Sequence, residues 1–112
     1  METKAVARYI RMSPRKIRRV LQPIKGLGLK EAQATLDALP HRAARVIRRL
    51  IDSAAANAEN NHGMDRDELW VAQAYVDAGP TMKRWQAASQ GRIGMVRKRT
   101  SHLSVVLSDE ER

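Results

Sequence analysis

The 112-residue sequence has no cysteine and no phenylalanine, and its aromatic side chains are limited to two tryptophans and two tyrosines. Without cysteine, neither a disulfide nor a thiolate metal site is available to hold the fold. With so few aromatics, the core has to be assembled from Ala, Val, Ile and Leu. No apolar run approaches the roughly eighteen residues that a membrane helix requires, and residues 1–12 are interrupted by charge every few positions, unlike a signal peptide. A cytoplasmic location is the expectation. The most informative absence is local: from Ala78 to Ser108 there is no Asp or Glu, while six Lys or Arg residues fall in the same stretch.

Positive charge gathered without internal neutralisation repels itself unless a polyanion screens it, which points to RNA or DNA. The whole chain agrees, with 21 basic against 12 acidic residues, a formal net charge of +9 and a pI near 10.8. The two signs are also segregated. Residues 1–30 carry nine basic side chains against Glu2 alone, whereas residues 52–77 carry six acidic ones against Arg66 alone. The acidic middle should face solvent or a neutral neighbour, and the two basic flanks should face phosphate.

No constellation for catalysis is present. His41, His62 and His102 are far apart in sequence and none has a neighbour at metal-ligand spacing. Asp65, Asp67 and Glu68 cluster after a helix but lack the dozen-residue calcium pattern, so a solvated acidic turn is expected. Gly26-Leu27-Gly28 lacks both the third glycine of a dinucleotide fingerprint and the lysine of a phosphate loop. Ser101 and His102 are adjacent, yet no acid partner is indicated. The expectation is a protein that is not an enzyme and uses no cofactor or metal.

An apolar fraction of 43% is enough for one modest core. Residues 4–11 read as a strand, with Ala5, Ala7 and Tyr9 on one face and Val6, Arg8 and Ile10 on the other. Ser13-Pro14 supplies a helix cap followed by proline in the first turn, where its missing N–H costs nothing. Ile17, Val20, Leu21 and Ile24 then fall at i, i+3, i+4 and i+7, leaving Arg15, Lys16, Arg18 and Arg19 on the remaining surface. Pro23 should loosen the last turn before Gly26. A second helix covers 29–39, and Pro40 separates it from a third, whose apolar face runs through Val46, Ile47, Leu50, Ile51, Ala54, Ala55 and Ala58 to a stop at Gly63. The small side chains of 53–58 call for close packing, against the sheet or the first helix.

From Glu68 onward the period changes to two. Leu69, Val71, Gln73, Tyr75 and Asp77 alternate with Trp70, Ala72, Ala74 and Val76, and Leu103, Val105 and Leu107 alternate with Ser104, Val106 and Ser108. Twenty-five residues, 78–102, lie between these strands. A structureless loop of that length is uncommon inside a compact domain, so 81–96 is read as a β-hairpin arm turning near Ser89–Gly91. Such a ribbon is marginal on its own and should order fully only against a folded RNA. The fold class is thus α+β: three helices packed on a small antiparallel sheet, with two strands extended into the arm. The globular part is 1–80 with 97–112.

Four segments carry a resemblance. They are Ala7-Arg8-Tyr9-Ile10-Arg11-Met12-Ser13-Pro14-Arg15-Lys16, Ser53-Ala54-Ala55-Ala56-Asn57-Ala58-Glu59-Asn60-Asn61-His62, Ala74-Tyr75-Val76-Asp77-Ala78-Gly79-Pro80 and Lys98-Arg99-Thr100-Ser101-His102. In this order and spacing the chain resembles the universal large-subunit ribosomal protein twenty-two family, in its bacterial form, from Ala5 to Leu107. The resemblance implies a structural component of the large subunit that binds 23S-type rRNA and assists its folding and assembly. It further implies a hairpin that lines the peptide exit tunnel, with rRNA, neighbouring ribosomal proteins and the nascent polypeptide as partners and no homo-oligomer.

The RNA contacts expected on this basis are Arg8, Arg11, Arg15, Lys16, Arg18, Arg19, Lys25, Lys83, Arg84, Trp85, Arg92, Arg97, Lys98, Arg99, Thr100, Ser101 and His102. Gln86, Ala87, Ala88, Ser89, Gln90 and Gly91 would form the tip facing the tunnel. The tip departs from the family, which usually has a proline followed by an Arg-rich turn there. Trp85 could compensate by stacking on a base, worth about 1 to 3 kcal/mol, or could pack against the opposite strand. The other functional class is a free-standing nucleic-acid-binding regulator that reads its target with residues 14–25.

Overall fold

The structure is a computed structural model describing residues 1–87 and 93–110, with the backbone alone described in 82–87 and 93–97. In chain order the elements are β1 (Glu2–Ile10), α1 (Pro14–Leu21), a 3-10 turn (Gln22–Ile24), α2 (Leu29–Ala38), α3 (Arg42–His62), a second 3-10 turn (Arg66–Glu68), β2 (Trp70–Ala78), β3 (Met82–Ala87), β4 (Ile93–Lys98) and β5 (Ser101–Ser108). β1, β5 and β2 form a three-stranded antiparallel sheet in that order, and β3 pairs with β4 in a separate ribbon. The expected α+β class is what forms.

The last strand is the central one. β5 meets Glu2–Ala7 and Ile10 of β1 on one edge and β2 on the other, so Leu103, Val105 and Leu107 point into the core with no exposure. Even its outward Ser104 and Ser108 are buried, because small side chains on a central strand are flanked by longer ones on both neighbours. The helices cover the other face: α3 lies across β1 and β5, α1 packs beside β2, and α2 rests on α3. Ile17, Leu21, Ile24, Ile47 and Ile51 fill the space between the layers.

α3 comes close to the sheet because Ala54, Ala55 and Ala58 offer nothing larger than a methyl group, and all three are fully buried. α3 as a whole also touches α1. It ends where Gly63 adopts the left-handed conformation, φ 63°, that glycine takes at no steric cost. α1 stops earlier than its periodicity implied. Pro23 diverts the chain into the 3-10 turn, which still delivers Ile24 to the core. Ser13 occupies the cap position of α1, with Lys16 and Ile17 amides reaching its carbonyl. Its hydroxyl makes no capping bond, contrary to expectation.

Two irregularities correct the strand readings. Register slips between Ala7 and Ile10 on β1, and Tyr9 takes φ 57° with its ring on the surface instead of joining Ala5 inside. A second slip lies between Val71 and Gln73 on β2. Leu69 and Val71 are buried before it and Ala74 and Val76 after it, so Tyr75 turns outward although its parity matches Leu69. One inserted residue reverses the facing of everything beyond it.

The ribbon stands apart from this body. Its register runs from Met82↔Lys98 to Ala87↔Ile93, and the turn expected near Ser89–Gly91 lies outside the described residues. A radius of gyration of 17.0 Å, against roughly 13 Å for a compact chain of this size, and a long axis of 60 Å fit such an outgrowth.

Candidate nucleic-acid interface

α1 divides cleanly by period. Pro14, Ile17, Val20 and Leu21 are buried, which leaves Arg15, Lys16, Arg18 and Arg19 on the exposed side, with Lys25 exposed just beyond the 3-10 turn. Arg18 is tied to the sheet, its Nη2 donating to the Val76 carbonyl at 3.3 Å. The others project freely. Arg11 is exposed in the link between β1 and α1.

The uncovered face of the sheet carries a second group. Lys4, Val6, Arg8, Tyr9, Tyr75, Asp77, His102 and Ser104 surround a shallow hollow of about 240 Å³. Lys4 Nζ sits 5.6 Å from the centre of the Tyr75 ring, a cation–π distance. The Lys4 ammonium, helped by Ser104, holds the Tyr75 phenol below its ordinary pKa, because a positive neighbour favours the phenolate. The amide of Tyr9 donates to His102 Nδ1 at 3.2 Å, which leaves the ring proton of a neutral His102 on Nε2.

At the base of the arm the polar side chains look inward. Thr100 Oγ1 donates to the Pro80 carbonyl and Ser101 Oγ to the Met12 carbonyl, each at 2.6 Å, and both residues are buried. These two were expected among the RNA contacts. Their hydroxyls are instead spent on backbone carbonyls, so they brace the junction between the ribbon, the sheet and the β1–α1 link. Gly79 passes so near that a Cβ there would stand 2.6 Å from Thr100 Oγ1 and 3.2 Å from His102 Nε2. Lys98 and Arg99, immediately before, are exposed. On the ribbon the backbone register sets Lys83 opposite Arg97, Arg84 opposite Val96 and Trp85 opposite Met95. Arg92 and residues 88–91 of the expected tip lie outside the described residues, while Gln86 and Ala87 belong to β3.

The two signs of charge are handled differently. Asp37 and Asp52 pair with Arg48, Asp52 also accepts from Gln33, Lys30 pairs with Asp67, and Arg66 with Glu59. Asp65 accepts from the amide of Asp67 and closes the acidic turn. Of the six carboxylates in residues 52–77, Asp52, Glu59 and Asp67 pair with cations of α3, the second 3-10 turn and α2, while Asp65, Glu68 and Asp77 form no ion pair among the described residues, and all but Asp52 are exposed. Among the described residues, Arg8, Arg11, Arg15, Lys16, Arg19, Lys25, Lys98 and Arg99 form no ion pair. Nor does any group of three or more His, Asp or Glu among them come together as a metal site.

The sequence matches the family described as Ribosomal protein L22p/L17e over residues 5–108, which takes in most of the first basic flank and all of the second, including the ribbon. The chain belongs to the ribosomal protein L22p/L17e family. It is 56% identical over 111 residues to the large ribosomal subunit protein uL22 of Pelotomaculum thermopropionicum, covering 99% of this chain and 98% of that protein. The uL22 proteins of Halothermothrix orenii and Thermoanaerobacter sp. strain X514 are 49% and 50% identical over the same length, covering 98% and 100% of those proteins. L22p/L17e membership makes the chain a structural, non-enzymatic protein.

For this L22p/L17e chain, the structure brings Arg11, Lys16 and Arg19 together with His41 and Arg42, which were not among the expected contacts. One sequence signal was available. Arg42 opens α3, whose first turn contains no acidic residue, and a cation there opposes the helix dipole.

Proposed function

We propose that the chain is a structural component of the large subunit of the cytoplasmic ribosome, where it binds 23S-type rRNA and assists its folding and assembly. Its hairpin lines the nascent-peptide exit tunnel, with 86–91 as the tip facing the passing polypeptide. Neighbouring large-subunit proteins complete its surroundings, and it functions as a single copy.

The supporting observation is the separation of paired from unpaired charge. Asp37, Asp52, Glu59 and Asp67 pair with cations of α2, α3 and the second 3-10 turn, whereas the cations of β1, α1 and the arm base form no ion pair among the described residues. Arg8, Arg11, Arg15, Lys16, Arg19, Lys25, Lys98 and Arg99 are the contacts we assign from the described surface, each able to reach phosphate oxygens. Arg18 adds to them from α1, His102 from the outward face of β5, and Lys83, Arg84, Trp85, Arg92 and Arg97 from the arm. Thr100 and Ser101 act by holding the arm in place.

Binding of the full chain to purified large-subunit rRNA across a salt series tests this. About six phosphate contacts give a log–log slope of roughly −4 to −5, whereas a nearly flat dependence would overturn the electrostatic reading. In sucrose gradients of a lysate the chain should travel with the large subunit through a salt wash. Release as a free protein would favour a recycling regulator.

A further inference from the structure

Where the link after β1, the outward side of α1 and the start of α3 meet, they leave an open cavity of about 400 Å³. Arg11, Lys16, Arg19 and Arg42 rim it, and Met12 and Val20 are among the residues beneath. No carboxylate lines the cavity, and among the described residues none of the four cations has an ion-pair partner. Four like charges, from the β1–α1 link, α1 and the start of α3, thus line one concave space. Arg42 adds an independent sign, since its place at the first position of α3 is unfavourable for a cation unless an anion is close by.

We infer that this cavity seats a sharp turn of the RNA sugar–phosphate backbone, with adjacent phosphates on the rim cations and a ribose over Met12 and Val20. The inference rests on the rRNA-binding reading above and locates one built contact within it. The space is too large for a lone phosphate ion and lies in the size range of pockets that enclose an organic group. Its open side lets a continuous chain enter and leave. Because the cations come from three elements, a bound backbone turn would tie α1 to α3 through the β1–α1 link, which a phosphate on any single surface arginine would not do.

A charge-matched pair of variants decides it. Arg42→Gln and Arg45→Gln each remove one positive charge from an exposed position of α3, three residues apart, but Arg45 lines a different cavity. Binding of each full-length variant to purified 23S-type rRNA is measured across a salt series, with thermal unfolding as the check on folding. The expected result is a salt slope about one unit shallower for Arg42→Gln, as for loss of one phosphate contact, and the parent slope for Arg45→Gln. Lys16→Gln, on the exposed side of α1, should repeat the loss and replaces Arg42→Gln should that variant unfold early. If Arg42→Gln, or Lys16→Gln in its place, and Arg45→Gln weaken binding equally, the cavity is no seat and the surface acts only through its summed charge. If the parent chain itself fails to bind the rRNA, the rRNA-binding reading falls, and this inference with it.

Discussion

The amide of Tyr9 donates to His102 Nδ1 at 3.2 Å while the two rings meet edge to face, their centroids 4.9 Å apart. Together these contacts fasten the bulge of β1 to the outward face of β5. They also offset a local cost: Tyr9 holds φ 57°, and for a side chain other than glycine that region costs about 1–2 kcal/mol. One hydrogen bond of about 1 kcal/mol and an aromatic edge contact of about 0.5–1.5 kcal/mol are of the same size.

That balance orders two substitutions. Tyr9→Gly loses the ring contact but relieves the backbone, so its stability should stay within about 1 kcal/mol of the parent. Tyr9→Val loses the same contact and places a β-branched residue in the left-handed region, so it should lie at least about 1 kcal/mol below Tyr9→Gly. Denaturant unfolding gives the order, and a reversed order would show that the bulge is not held this way in solution.

Gly79 and Thr100 should be coupled. Gly79→Ala brings a methyl carbon against a hydroxyl already committed to the Pro80 carbonyl, and overpacking of this kind costs about 1–3 kcal/mol. Thr100→Ala removes the obstructing oxygen at the cost of its hydrogen bond. The double variant is therefore expected to be more stable than the sum of the single effects, and strict additivity in a double-mutant cycle would contradict the close approach.

The small-residue face of α3 gives a sharper contrast. Ala55 is fully buried and Ala56, its neighbour, is exposed. Leucine at position 55 should lower stability by about 1–3 kcal/mol, while leucine at 56 should change it by no more than about 0.5 kcal/mol. Thermal unfolding of the two variants checks this, and equal effects would mean that the helix does not approach the sheet as closely as its alanines allow.

The arm is expected to be dispensable for folding. β3 and β4 pair only with each other within the sheets. Removing residues 86–91 should leave the unfolding temperature of the body nearly unchanged and still permit entry into ribosomal particles, with the effect confined to ligands or nascent chains that lodge in the tunnel. Unfolding of the shortened chain, or its exclusion from the subunit, would refute this division.

The helical half of the fold was readable because its signal is repetitive. Ile17, Val20, Leu21 and Ile24 announce one buried stripe, and Ala54, Ala55 and Ala58 another, and no single residue can undo either. The strands were less legible, because period-two reasoning fails at one inserted residue, and nothing about Ala72 or Tyr9 in isolation marks a bulge. Burial of Ser104 was equally hidden, since it depends on β5 lying between two partners that are distant in sequence. For the candidate interface, the cations of α1 follow from the same stripe that buries Ile17. Thr100 and Ser101 face inward for reasons that only the arrival of Pro80 and Met12 supplies. His41 and Arg42 join Lys16 because α2 turns α3 back beside α1, a proximity between positions some twenty-five residues apart.

The central position of β5 also bears on how the chain comes to be folded at all. Synthesis proceeds from the amino end, so β1 and β2 emerge with neither paired to the other, and the strand that joins them is the last to appear. Glu2 cannot meet Ser108 until nearly the whole chain exists. Local helices can form early, but the sheet beneath them must wait for contacts of the longest sequence separation, the kind that folds slowly. During that interval the strongly basic amino-terminal segment is already available. A polyanion could engage it before the hydrophobic core closes, and docking and folding would then be a single event and not two in succession.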